Sequence, residues 1–409
     1  MNAGIPIVAI PGPSILPERV RTALSRPMIN IYEGEVLDIS QRILSRLPAV
    51  ARTSGHPFIV TGNGHAAWQM AISNTLLAGD KVLALESGRF SVIWGGYAEQ
   101  AGIAVEVLPG SWHGPVDANQ LEDRLRADTA GEITAIFVSH TDTASSVRND
   151  ISEIRAAIDA AGHDAMLMVD CIASLACETY EMDAWGVDLT VGASQKGLMC
   201  PPGVSFVWAG DKAVAAFDRL KASGAPRISY LDWERRLEPQ GFYDTYAGTP
   251  PVSHLFALDV ALDLLDEQGG LESSWERHRV LARCVHAAVE AWTHDAGVSM
   301  NISSPLHRSN AVTTVLTGER NSKEVARLTK EMSEVTLGIG MAYDAQSSFR
   351  FGHMGHLNAA MVVGTLGAAE AAMHALDIPM TESGVAAATK VLADEFLDSG
   401  TDIVPPRRH

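Results

Sequence analysis

Only four cysteines, Cys171, Cys177, Cys200 and Cys284, stand among 409 residues, and their spacing matches no zinc-ligand pattern. So few thiols fit a reducing compartment, and a cytoplasmic protein is expected. Basic residues are scarce too: 31 Lys plus Arg face 49 Asp plus Glu, a formal net charge of −18. That balance repels nucleic acid and anionic membranes, so neither is expected as a partner, although a local basic pocket for an anionic substrate stays open. Long uninterrupted apolar runs are also missing. The apolar first ten residues lack a basic flank and a full signal core. Pro11-Gly12-Pro13 then interrupts them, so an N-terminal arm is expected in place of a signal peptide. Later apolar stretches are broken by glycine, and none reads as a membrane span.

What is present is an alternation of short apolar runs and amphipathic stretches. Residues 58–61, 81–85, 104–108, 133–139, 165–169, 189–192 and 204–208 read as strands, with helices over 36–47, 66–77, 92–101 and 152–161. Several strands are continuously apolar, as when helices cover both faces of a sheet, which predicts an α/β protein. Pro250-Pro251 opens a helix over 253–265. Strands at 313–316 and 347–351, a helix at 322–332 and a last helix at 381–396 predict a smaller α/β domain. The expected division is an arm over 1–13, a large domain over 14–258 and a small domain over 259–409.

One segment stands out: Thr190-Val191-Gly192-Ala193-Ser194-Gln195-Lys196-Gly197, followed by Pro201-Pro202-Gly203. It sets a lysine among small and polar residues just beyond a strand. Upstream, Asp170 closes the apolar run Met168-Val169. A carboxylate at one strand end and an amine near the next can hold a pyridine aldehyde between them: the amine as a Schiff base, the carboxylate against a protonated ring nitrogen. Each residue alone also has a plain structural reading, as a cap or a surface charge.

Gly62-Asn63-Gly64-His65-Ala66, between a strand and a helix, serves either as an ordinary βα turn or as a phosphate cradle; it completes neither GxGxxG nor GxxxxGK[ST]. Phe90 is either a ring-stacking residue or part of the core. Thr143, in Ser139-His140-Thr141-Asp142-Thr143, can reach a ring hydroxyl while His140 orders the loop. Ser194 and Gln195 offer phosphate contacts. Arg350 reads as an ion-pair residue or a carboxylate clamp, Tyr246 as a turn anchor, Thr249 as a helix cap and His353 as a loop ligand or proton-transfer group.

In their order along the chain these motifs resemble the class V aminotransferases of fold type I, close to the alanine/serine–glyoxylate aminotransferase group, from Pro11-Gly12-Pro13 through Arg350-Phe351-Gly352-His353-Met354-Gly355. The resemblance implies a large mixed-sheet domain that binds pyridoxal 5'-phosphate and a smaller α/β domain. It implies that Lys196 carries the cofactor and Asp170 pairs with its pyridine nitrogen. Phe90 and Ile172 would flank the ring, with Thr143 near its hydroxyl. Gly64, His65 and Gln195, with Ala66 in the same turn, would hold the phosphate, and Arg350 would grip the substrate carboxylate. A homodimer is implied, with Tyr246 and Thr249 donated to the neighbouring subunit's phosphate site.

The expected reaction moves an amino group from a small amino acid to a 2-oxo acid, glyoxylate first. The donor stays open, because Ile31-Tyr32 replaces a His-Arg pair carried by many glyoxylate-using relatives. A pyridoxamine–pyruvate aminotransferase is the near alternative, supported by Leu231-Asp232-Trp233-Glu234. That branch has a glutamate where Asn63 stands, and Asn63 cannot do the same acid–base work. A lyase acting on a cysteine or serine derivative and a noncatalytic cofactor-binding protein complete the alternatives.

Overall fold

A computed structural model describes residues 4–318, 320, 322–341 and 345–398. The outer ends of the expected arm and small domain, 1–3 and 399–409, lie outside the described residues. The strands in chain order are β1 (Ile7–Ala9), β2 (His56–Gly62), β3 (Lys81–Leu85) and β4 (Ala104–Leu108). They continue with β5 (Ile133–Ser139), β6 (Met166–Asp170), β7 (Leu189–Ala193) and β8 (Gly203–Ala209). The last four are β9 (Ser299–Met300), β10 (Val312–Leu316), β11 (Val335–Ile339) and β12 (Ser348–Gly352).

Seven strands form one mixed sheet in the order β2-β8-β7-β6-β5-β3-β4, in which β8 runs antiparallel to β2 and β7 and the other pairs are parallel. Every residue of β6 and β7 is buried, and all but Asp170 and Thr190 are apolar. One face packs against helices that include Glu35–Ala51, Ile151–Ala161 and Val252–Glu267. The other packs against Gly64–Thr75, Phe90–Gln100 and Asp211–Ser223. This is the fold type I architecture, a large mixed-sheet domain beside a smaller α/β domain.

The smaller sheet has the order β1-β11-β12-β10-β9. Its core is closed by the helices Gly270–Trp292, Ala359–Ala375 and Gly384–Asp398. Residues 7–9 therefore form a strand parallel to β11, Ile7 opposite Val335, beyond what an arm implies. Ser139 of β5 is in register with Asp170 of β6, and Asp170 with Val191 of β7. These parallel strands end side by side, so the loops that follow them emerge together, the usual place for a ligand in such a sheet.

Candidate active site

Five chain reversals build the site, those after β2, β3, β5, β6 and β7. Asp170 is the last residue of β6, and Lys196 lies on the turn just beyond β7. Gly64 and Phe90 each begin a helix. With His65, Thr143, Ile172 and Gln195, these residues line one cleft of about 620 Å³.

Burial sets the charges. The Asp170 carboxyl is pushed up to about 7 by its removal from water, with the negative charge of Asp142 adding to the rise. Two N–H groups oppose this: Ile172 N donates to Oδ1 at 2.7 Å, and Trp68 Nε1 donates to Oδ2 at 3.2 Å. The Lys196 amine is lowered to about 8, by burial first and then by the charge of Arg350. Its Nζ donates to the Pro11 carbonyl, and Ser14 Oγ donates to the Lys196 carbonyl at 2.8 Å. The chain just after β1 thus closes over the lysine turn. Partial burial holds His65 below its usual value.

Other expected residues stand apart from the cleft wall. Arg350 lies one layer behind it: Nη1 donates to Thr143 O at 2.6 Å and Nε to Ile339 O at 2.8 Å. Among the described residues its Nη2 has no hydrogen-bond partner, and burial lowers the guanidinium to about 10. Ala66 turns its N–H inward to Asn63 O at 2.8 Å. Tyr246 is buried in the core of its own chain with its hydroxyl against Ser40, and Thr249 is exposed. The Ser194 hydroxyl donates to Pro201 O at 2.7 Å and shapes the lysine turn. His353 is satisfied on both ring nitrogens by Asn310 O and Thr313 Oγ1.

The structure also adds residues that sequence reasoning gave no role at the cofactor. Trp68, Asn63 and Thr141 line the cleft. Trp68 follows Gly64 by one helical turn and so shares its face, a spacing that was available in the sequence. Asn63 caps the helix Gly64–Thr75, accepting from His65 N at 3.1 Å. Asp142 accepts from Phe90 N at 2.7 Å and Ala144 N at 2.8 Å, fixing the loop that carries Thr143 to the helix that carries Phe90.

Residues 50–355 match the family described as aminotransferase class-V. The chain belongs to this family. The aminotransferase is 34% identical over 397 residues to the serine–glyoxylate aminotransferase of Methylorubrum extorquens, covering 95% of this chain and 96% of that protein. It is 33% identical over 385 residues to the L-aspartate–glyoxylate aminotransferase of Paracoccus denitrificans, covering 93% and 94%. Among solved structures, the pyridoxamine–pyruvate aminotransferase of Mesorhizobium loti superposes with a TM-score of 0.86 at 26% identity, over 97% of this chain and 99% of that one.

Membership implies a pyridoxal-phosphate-dependent enzyme, and the residues present fit that group. The Gln195 side-chain amide makes no hydrogen bond among the described residues, and its buried Oε1 is without a partner. A Cβ on Gly64 would lie 2.2 Å from Ile172 Cδ1, so a side chain there would push Ile172 from its place on this wall. Asp170 supplies an acceptor, Lys196 an amine, and Phe90 and Ile172 apolar surface. Among the described residues no helix is long and apolar enough to cross a membrane.

Proposed function

We propose that the aminotransferase binds pyridoxal 5'-phosphate in this cleft and moves an amino group from a small amino acid to glyoxylate. The observation that carries the reading is the meeting, in one cleft, of the Lys196 amine, the Asp170 carboxylate and the unpartnered Gln195 amide. The glyoxylate-using relatives from Methylorubrum and Paracoccus support the acceptor, and their different donors, serine and aspartate, leave the donor class at small amino acids.

When bound, the cofactor supplies an electron sink for the charge left behind as the substrate α-proton departs. Lys196 Nζ both anchors the cofactor and moves that proton. With its pKa near 8, about a tenth of the amine is unprotonated at pH 7, enough to act as a base. Asp170 holds an acceptor toward the ring nitrogen, where a cationic partner favours its charged form. Phe90 and Ile172 flank the ring and exclude water, with Thr143 at its hydroxyl. The Gly64–His65 helix start and Gln195 hold the phosphate. Arg350 Nη2 and the free edge of its guanidinium take the substrate carboxylate.

The working unit in this reading is a cytoplasmic homodimer, with Thr249 reaching the neighbouring copy's phosphate site. Tyr32, 76% exposed, meets the half-buried Tyr243 edge-on at 5.9 Å, an aromatic pair suited to such an interface. Tyr246 serves in the same reading by anchoring the turn before Thr249. A pyridoxamine–pyruvate reaction has the structural likeness in its favour. Asn63, occupied as a helix cap, weighs against it.

Anaerobic half-reactions with an amino-donor panel test the proposal: a small amino acid should convert the cofactor from its aldehyde to its amine form, and glyoxylate should restore it. Recovery with another 2-oxo acid but not with glyoxylate rejects the acceptor. Product formation without any acceptor identifies a lyase.

A further inference from the structure

Trp68 is fully buried, and the proposed chemistry gives it no task. Its indole N–H donates to Asp170 Oδ2 at 3.2 Å while Ile172 N holds Oδ1 at 2.7 Å, so both carboxylate oxygens are fixed by the protein. A carboxylate has about four acceptor sites, and two remain for a ligand. The same indole stacks on the His65 ring at 4.6 Å and 30°, and meets Tyr97 edge-on at 5.8 Å. Tyr97 Oη in turn sits 3.3 Å from His65 Nδ1, leaving Nε2 as the unengaged ring nitrogen. One rigid side chain thus touches the residue at the ring-nitrogen end of the cleft and the residue at its phosphate end. The charges that face Asp170 are Asp142, which disfavours its anion, and Lys196, which favours it. The indole N–H adds to the favourable side.

A built-in comparison lies next door. Trp94 is equally buried and stacks on Trp68 at 6.0 Å and on Phe137 at 4.1 Å. Among the described residues its Nε1 has no hydrogen-bond partner. The two indoles share an aromatic cluster and differ in what the N–H does.

We propose that Trp68 is a positioning residue for the cofactor: its N–H aims the Asp170 carboxylate while its ring face seats His65, so that a single side chain registers both ends of pyridoxal phosphate. The proposal rests on the reading that this cofactor occupies the cleft.

The test compares Trp68→Phe with Trp94→Phe in the full-length protein. Two quantities are read: the Kd of the cofactor-free protein for pyridoxal 5'-phosphate, by absorbance titration, and the steady-state constants of the loaded enzyme. A hydrogen bond to a charged group is worth about ten- to a hundredfold. Trp68→Phe should therefore weaken cofactor binding at least about tenfold. It should also lower kcat about tenfold while the amino-donor KM moves less than about threefold. Trp94→Phe, which loses the same ring edge and no hydrogen bond, should leave the Kd within about threefold.

Equal losses in the two variants would overturn the proposal and reduce Trp68 to packing. Trp68→Met, which fills the space and donates no hydrogen bond, carries the same expectations if the phenylalanine variant fails to fold. Absence of pyridoxal phosphate binding by the wild type would sink the cofactor reading itself. Binding by the wild type with no distinction between the variants sinks only the role of Trp68.

Discussion

Gly12→Ala puts the position of the Lys196 amine under direct test. A Cβ at residue 12 would lie 2.3 Å from Lys196 Nζ, 2.4 Å from Cδ and 2.6 Å from Cε. Non-bonded carbons prefer about 3.5–4 Å, so the lysine must retreat by about 1 Å or more. The side chain is flexible and can do so. The fold therefore loses mainly the backbone term: Gly12 has φ +89°, where a side chain costs about 1 kcal/mol. Catalysis has no such escape, because a misplacement of about 1 Å costs about a hundredfold, or roughly 2.7 kcal/mol of barrier. We expect kcat under saturating donor to fall about a hundredfold while the melting temperature drops by no more than about 4 °C. A variant with kcat within about threefold of the wild type would show that the amine does not work where the structure puts it. A collapse of stability would show that backbone strain dominates.

Gly352→Ala should behave in the opposite way. Its Cβ would strike backbone, 2.0 Å from Ile10 O and 2.7 Å from Pro11 N, and backbone cannot step aside. Denaturant titration should show a loss of about 1–3 kcal/mol, and an unchanged midpoint would contradict the docking of residues 10–11. Glu178 is pushed up to about 7 by burial from an ordinary 4.5. Between those values the folded protein keeps a proton that the unfolded chain releases, so wild-type stability falls as pH rises across that window. Relative to the wild type, Glu178→Gln should therefore gain roughly 2–3 kcal/mol between pH 5 and pH 8, and a flat difference refutes the burial argument. Arg350→Lys cannot keep two carbonyl bonds and still offer a fork. The amino-donor KM should rise about tenfold or more with cofactor affinity unchanged. An unaltered KM would remove Arg350 from the substrate site.

The legible parts of the chain were those whose local pattern and tertiary environment agree. The buried strands β5 to β8 are mostly apolar, and the Gly64 and Lys196 turns follow strands directly, so spacing alone brought them to one end of a sheet. The helix Gly270–Trp292 was hidden because it buries polar side chains: Ser274 and His278 sit in its core-facing row, with His278 Nε2 accepting from Gly355 N at 2.8 Å. Ala359–Ala375 was hidden by its small residues, which give no contrast between faces. β1 is three residues long and exists only because β11 is there to pair with it. The Trp68–Asp170 bond depends on how a helix settles on a sheet, and the Tyr246–Ser40 contact on two helices meeting far apart in sequence. Arg350 is legible as a charge, whereas its seat behind Thr143 is not.

The pairing of Ile7 with Val335 also orders events in time. Chains are made from the N-terminus, so residues 7–9 wait for residues 335–337 before they have a strand to join. The carbonyl of Pro11 follows that late pairing by two residues, whereas Ser14 is also tied to the lysine turn directly, its N–H donating to Gln195 O at 2.9 Å. A nascent chain that already contains Asp170, Lys196 and the whole large sheet still lacks the pairing that fixes the segment leading to Pro11 over its lysine turn. Assembly of the large sheet and competence for chemistry are therefore separate milestones, and the second comes only when the small sheet closes.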